Sequence, residues 1–131
     1  MTPLEHIHVP GQFKVAAPLS PAVKVGNLLY ISGIPAYDEQ GKLAIGDFTA
    51  QMTQVMKTIT EILQHAGGGW DRVAKVNVLL TRREDFEEMN RIYAAHFPDG
   101  RYPARTTAIV YSLPRPNFLL EIECVAVLAS D

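Results

Sequence analysis

The chain has 131 residues, a formal net charge of −2, 47% hydrophobic and 20% charged residues, the dimensions of one soluble domain able to bury a core without staples. A sequence pI near 6.1 speaks against a nucleic-acid surface, which normally carries a basic excess or stripe. One cysteine, Cys124, excludes an internal disulfide framework, and no run approaches the roughly 18 apolar residues of a membrane helix.

The opening Met1-Thr-Pro-Leu-Glu-His lacks the basic region and apolar core of a signal peptide, so a cytoplasmic protein is expected. A single domain is expected over residues 1–131, with residues 1–15, rich in proline, as an irregular arm leading to a short edge element. Val23-Lys-Val25, a Gly26-Asn27 turn and Leu28 to Gly33 read as a hairpin. Asp38 to Gly41 is a second turn before a short segment around Leu43. Asp47 reads as an N-cap, and Phe48, Met52, Val55, Met56, Ile59, Ile62 and Leu63 recur at helical spacing. Gly67-Gly-Gly69 stops that helix. Val73 to Leu80 is a strand with one wet face. Thr81-Arg-Arg-Glu84 matches a capping box, and Phe86, Met89, Tyr93 and Phe97 mark the apolar face of a second helix.

Two further strands close the chain, giving the order β-β-(β)-α-β-α-β-β. This predicts an α+β fold in which both helices cover one face of a mixed sheet. The other face then needs a partner if it is apolar, so oligomerisation through it is expected.

Chemistry concentrates in the last two strands. Phe118, Leu120, Ile122, Cys124, Ala126 and Leu128 point one way, beneath the helices, which makes Cys124 a buried small hydrophobe. Leu119, Glu121, Glu123, Val125 and Val127 point the other way, setting two carboxylates among aliphatic residues. Buried charge costs several kcal/mol unless paired or hydrogen-bonded. Antiparallel pairing around Leu113 to Asn117 would set Arg105 and Thr107 across from Glu121 and Glu123. Two readings of that cluster stay open: a structural ion pair at a subunit interface, or an arginine that forks hydrogen bonds to a substrate carboxylate beside a glutamate that handles water.

Pro103-Ala-Arg-Thr106 followed by Leu120-Glu-Ile-Glu123 closely resembles the signature of the Rid family, the reactive intermediate deaminases, also called YjgF-like. The similarity extends to Val25–Gly33, to Gln51 through Gly67, to Val73-Ala-Lys-Val-Asn-Val-Leu and to Asp85–Asn90 with Tyr93 and Phe97, over roughly residues 16–128. The resemblance implies a chorismate-mutase-like mixed sheet and a homotrimer with sites in clefts between subunits. It implies hydrolysis of enamine or imine intermediates, such as aminoacrylate- or aminomuconate-like ones, to 2-oxo acids and ammonia, with neither metal nor organic cofactor. In that scheme Arg105 binds the substrate carboxylate, Glu121 positions water, Ser32 and Asn90 match site residues, and Gly33 brings backbone close to the ligand. Glu123 becomes a structural partner at the trimer interface.

Two positions depart from the family pattern. Leu19 stands where a tyrosine is common, making that wall apolar and pointing away from the usual small imino acid. Thr107 stands where a cysteine is frequent, a change that should be tolerated because the cysteine mainly offers main chain. The alternative function is a non-catalytic small-carboxylate-binding regulator using the same cleft. Ribonuclease activity, ascribed to some relatives, fits poorly with the acidic balance. His6-Ile-His8 has metal-ligand spacing without a third ligand, His65 and His96 suit helix C-termini, and Trp70 reads as a cap on the first helix.

Overall fold

The computed structural model describes residues 1–129. Six strands and two helices follow in the order β1 (Leu4–Ile7), β2 (Ala22–Val25), β3 (Leu28–Ile34), α1 (Phe48–His65), β4 (Val73–Leu80), α2 (Phe86–Ala94), β5 (Ala104–Ile109) and β6 (Leu120–Val127). They form one mixed sheet ordered β1-β2-β3-β6-β4-β5. The expected α+β architecture is therefore present, with two differences. The additional strand is β1, inside the segment read as irregular, where Leu4–Ile7 pairs antiparallel with β2. The segment around Leu43 forms no strand.

Local chemistry explains most boundaries. Gly26, at φ 59°, occupies the left-handed conformation that a two-residue hairpin between Val25 and Leu28 requires. The Asp47 carboxylate caps α1 by accepting from the Ala50 amide at 3.0 Å, and Gly67 at φ 90° turns the chain out of it. The second helix starts differently from expectation. Thr81 to Glu84 forms no capping box: a 3-10 turn, Arg83–Asp85, leads directly into α2, and Asp85 makes no capping bond. Arg82 instead forks onto the Asp85 carboxylate at 2.8 and 3.0 Å, so the charged pair takes over the entry turn. Trp70 lies just past α1, where its indole donates to Thr60 Oγ1 at 2.8 Å while its ring meets His96 and Phe97 edge-on.

Both helices share one face of the sheet. Met52, Val55, Met56, Ile59, Ile62 and Leu63 of α1 and Met89 and Tyr93 of α2 are buried with the inward residues of β3, β4 and β6. On β6 the even positions from Leu120 to Ala126 are buried, as the alternation predicted. Cys124, 3% exposed, has its thiol pushed up to about 12, by burial first and the nearby Glu123 charge second, which leaves it inert.

The opposite face carries no helix. It shows Tyr30, Val125 and Val127, with Asn77 donating to Glu123 at 3.2 Å and Lys75 to Thr106 at 2.9 Å. Tyr30 remains 47% exposed in the middle of this face.

Candidate functional site

Glu121 sits near the start of β6, on the face away from the helices. The pairing of β3 with β6 slips there: Ile31 faces Cys124 and Ile34 faces Ile122, so Ser32 and Gly33 together oppose Glu123 alone. Such a bulge re-aims side chains locally. Ser32 uses it to hold the preceding segment, its hydroxyl donating to the Ser20 carbonyl at 2.6 Å and its amide to Pro21 at 2.9 Å. Gly33 leaves room for the carboxylate, since a Cβ there would lie 3.2 Å from Glu121 Oε2. Burial is the main cause that raises the Glu121 pKa above the usual carboxylate value, and the Glu123 charge adds to it. Leu19, Pro21, Gly33 and Glu121 are among the residues that line a cavity of about 630 Å³.

Arg105 lies elsewhere. It is half-buried on β5, with its guanidinium 5.0 Å from the centre of the Tyr93 ring and Nη1 3.7 Å from Met89 Sδ. Among the described residues it forms no salt bridge. Around it the chain leaves hydrogen-bonding capacity unspent. The Tyr93 hydroxyl and Thr107 Oγ1 are both buried without a partner among the described residues, each a cost of roughly 1–3 kcal/mol when unrelieved. Burial pushes the Tyr93 phenol up to about 12, against a smaller opposing pull from Arg105. Thr107 also lines a second cavity of about 380 Å³ with Phe86 and Ile109. Asn90 is half-buried on α2 beside Met89.

The expected antiparallel pairing of β5 with β6 does not occur. β5 runs parallel to β4, and β4 separates it from β6. Arg105 aligns with Val76, which aligns with Cys124, on the helix face; Glu121 aligns with Leu79, on the other. Arg105 and Glu121 therefore occupy opposite faces of one sheet. The residues singled out in the sequence divide accordingly. Leu19, Ser32, Gly33 and Glu121 gather at the strand ends of β3 and β6, whereas Arg105, Thr107 and Asn90 gather beneath and beside α2. The expected placement of Arg105 and Thr107 across from Glu121 and Glu123 falls with that pairing.

Sequence reasoning passed over Met89 and Tyr93 as flanks of Arg105, because both fit the apolar face of α2. It also missed Gln51, buried at 1% exposure, whose amide donates to Ala44 O at 2.9 Å and Asn117 O at 3.1 Å and accepts from the Leu119 amide at 3.0 Å. A glutamine within an otherwise apolar helical face was the available signal.

A six-stranded mixed sheet with two helices on one side is an α+β architecture of the YjgF-like class. The family model described as endoribonuclease L-PSP matches residues 10–128, and the chain belongs to that family, the Rid family of the sequence signature. It is 40% identical over 114 residues to a RutC family protein of Pyrococcus horikoshii, covering 86% of this chain and 89% of that one. It is also 40% identical to the 3-aminoacrylate deaminase RutC of Acinetobacter baylyi, covering 84% of this chain and 86% of that one. The crystal structure of RidA from the Antarctic bacterium Psychrobacter sp. superposes with a TM-score of 0.87 at 35% identity, over 95% of this chain and 99% of that one. Among the described residues, no helix is long and apolar enough to cross a membrane.

Proposed function

We propose that this chain is an imine and enamine deaminase that hydrolyses 2-imino acids, and the 2-amino-enoates that tautomerise to them, to 2-oxo acids and ammonia. Its site is assembled between copies of the chain in a homotrimer. The observation that carries this reading is the placement of an arginine that has no carboxylate partner among the described residues and a half-buried glutamate on opposite faces of one sheet. No single copy can direct both at a six-heavy-atom acid. Two copies can, if the Glu121 face of one meets the Arg105 edge of the next, and such head-to-tail contacts close into a ring. The helix-free face, with Tyr30, Val125 and Val127, supplies surface for that contact.

In this site Arg105 of one copy forks two hydrogen bonds onto the substrate carboxylate. Thr107 and Asn90 flank it. Glu121 of the neighbour accepts a proton from water as the oxygen bonds to the imine carbon. That proton passes to nitrogen to complete the carbinolamine; its hydroxyl proton is then relayed through Glu121 to nitrogen as the C=O bond forms and the C–N bond breaks, releasing ammonia and the 2-oxo acid. Water is the co-reactant, atoms balance, and no step is assigned to a metal or cofactor. Imines also hydrolyse unaided, so orientation and charge placement suffice as the source of acceleration.

The names of relatives support the same class: deaminase for the Acinetobacter baylyi protein, and Reactive Intermediate Deaminase A for a chloroplastic Arabidopsis thaliana protein 39% identical over 112 residues. The endoribonuclease description is not carried over, because a net charge of −2 gives phosphate backbones little to bind. A lone buried thiol suits a reducing compartment, and the cytoplasm is the location carried forward.

Arg105→Lys keeps the charge and loses the fork. It should cut kcat/KM for ammonia release from 2-iminopropanoate about tenfold or more, and Arg105→Ala should cut it further. Parental turnover in either variant removes Arg105 from the site. Stoichiometric binding of 2-oxo acids without ammonia release from any imine would favour a non-catalytic carboxylate-binding regulator instead.

A further inference from the structure

The cavity that opens at Glu121 does not stop at the reacting end. Its walls include Gly33, Glu121 and Leu19, Phe13 on the N-terminal arm, and the half-buried Gln54, Thr58 and Glu61 of α1. Three aromatic rings follow one another along it. Phe118 meets Tyr37 edge-on with centroids 5.4 Å apart, and Tyr37 meets Phe13 at 5.1 Å. The outer ring is held in place. Phe13 packs directly against Gly41, where any Cβ would collide with it. The neighbouring Gln12 donates to Thr58 O and to Glu61 Oε1, both at 3.1 Å, pinning the arm to α1. An arm tied down in this way forms a wall rather than a loose tail.

We propose that this aromatic-walled cavity is the side-chain subsite of the enzyme, and that its preferred substrates are 2-imino acids bearing a large apolar or aromatic side chain. The inference rests on the deaminase reading and specifies its substrate class. Size is the first ground. The cavity's roughly 630 Å³ lies within the range of sites that enclose drug-sized ligands, roughly 300–1,000 Å³, far beyond the needs of a three-carbon acid. Polarity is the second. Leu19, Phe13, Tyr37 and Phe118 present carbon to the interior, and each buried methylene is worth about 0.8 kcal/mol. Charge is the third, and it selects against a second carboxylate on the substrate. Lys14 and Arg115 on the lining are outnumbered by Asp38, Glu39, Glu61 and Glu121. A dicarboxylic enamine would meet no net positive field there, so the muconate-like specialisation is disfavoured.

The test compares imines generated in situ by an amino-acid oxidase from alanine, leucine, phenylalanine and glutamate, with ammonia release read against a protein-free control. The parental protein is expected to show kcat/KM at least about tenfold higher for the phenylalanine-derived imine than for the alanine-derived one, with the glutamate-derived imine slowest. Phe13→Ala should shrink the phenylalanine-to-alanine ratio at least about fivefold, and Phe13→Leu should restore part of it. A parental preference for the three-carbon imine, or an equal fall in both rates in Phe13→Ala, overturns the subsite while leaving the deaminase reading intact. Failure to accelerate any of the four imines sinks both.

Discussion

Arg105 and Glu121 illustrate how one charge is tolerated inside a fold and another is strained by it. The Arg105 guanidinium lies over the Tyr93 ring, where the ring's negative face offsets lost hydration. Glu121 has no such relief, and burial raises its pKa. A carboxyl whose folded pKa exceeds its unfolded value is cheapest to bury when protonated. The associated stability is present at low pH and declines as pH rises from the unfolded pKa through the folded one. Glu121→Gln should therefore melt higher than the parent at pH 7 and at the same temperature near pH 3. The same variant should lose about a hundredfold in kcat on the preferred imine, as expected for removing the group that takes the water proton. A lower melting temperature at pH 7 would show that the fold does not disfavour the Glu121 charge. Unchanged turnover would remove Glu121 from proton handling.

At the scale of elements, residue patterning made five of the six strands and both helices legible, whereas β1 and partner choice among the strands were not. The inward alternation of β6, the β2–β3 turn and the Asp47 cap follow from residue types a few positions apart, and each is where the sequence places it. Pairing of β5 is decided by a longer relation. A strand that follows a helix crossover returns parallel to the strand before the helix, as β5 does with β4, and β6 then enters between β3 and β4. Nearest-neighbour reasoning over residues 110–119 reads the same stretch as a hairpin, and so sets Arg105 on the wrong face relative to Glu121. The capping box failed for a related reason: a bidentate Arg82–Asp85 pair competes with it and cannot be ranked from spacing alone. Gln51 binds the end of that connection to α1, and its loss removes three part-buried hydrogen bonds, to Ala44 O and Asn117 O and from the Leu119 amide. Gln51→Ala should destabilise the fold by about 3 kcal/mol in urea unfolding. A change within experimental error would mean that water replaces all three bonds without cost.

For the whole molecule, the placement of Arg105 and Glu121 on opposite faces means that the proposed reaction requires more than one copy of the chain. In the proposed site a single copy holds the carboxylate anchor, Arg105, at one place and the water-handling carboxylate, Glu121, at another, and the helix-free face offers surface to a neighbour. Family membership was readable in the sequence because its motifs are local, and those motifs single out Arg105 and Glu121 without saying that the two sit on opposite faces. The direct test of a shared site uses two defective variants. Arg105→Ala and Glu121→Gln chains, differently tagged and co-expressed, are isolated as mixed trimers through both tags. Every mixed ring contains one junction at which an intact Arg105 meets an intact Glu121, so activity should return to about one third of the parental level. Mixed trimers as inactive as either variant alone would contradict a site built between copies.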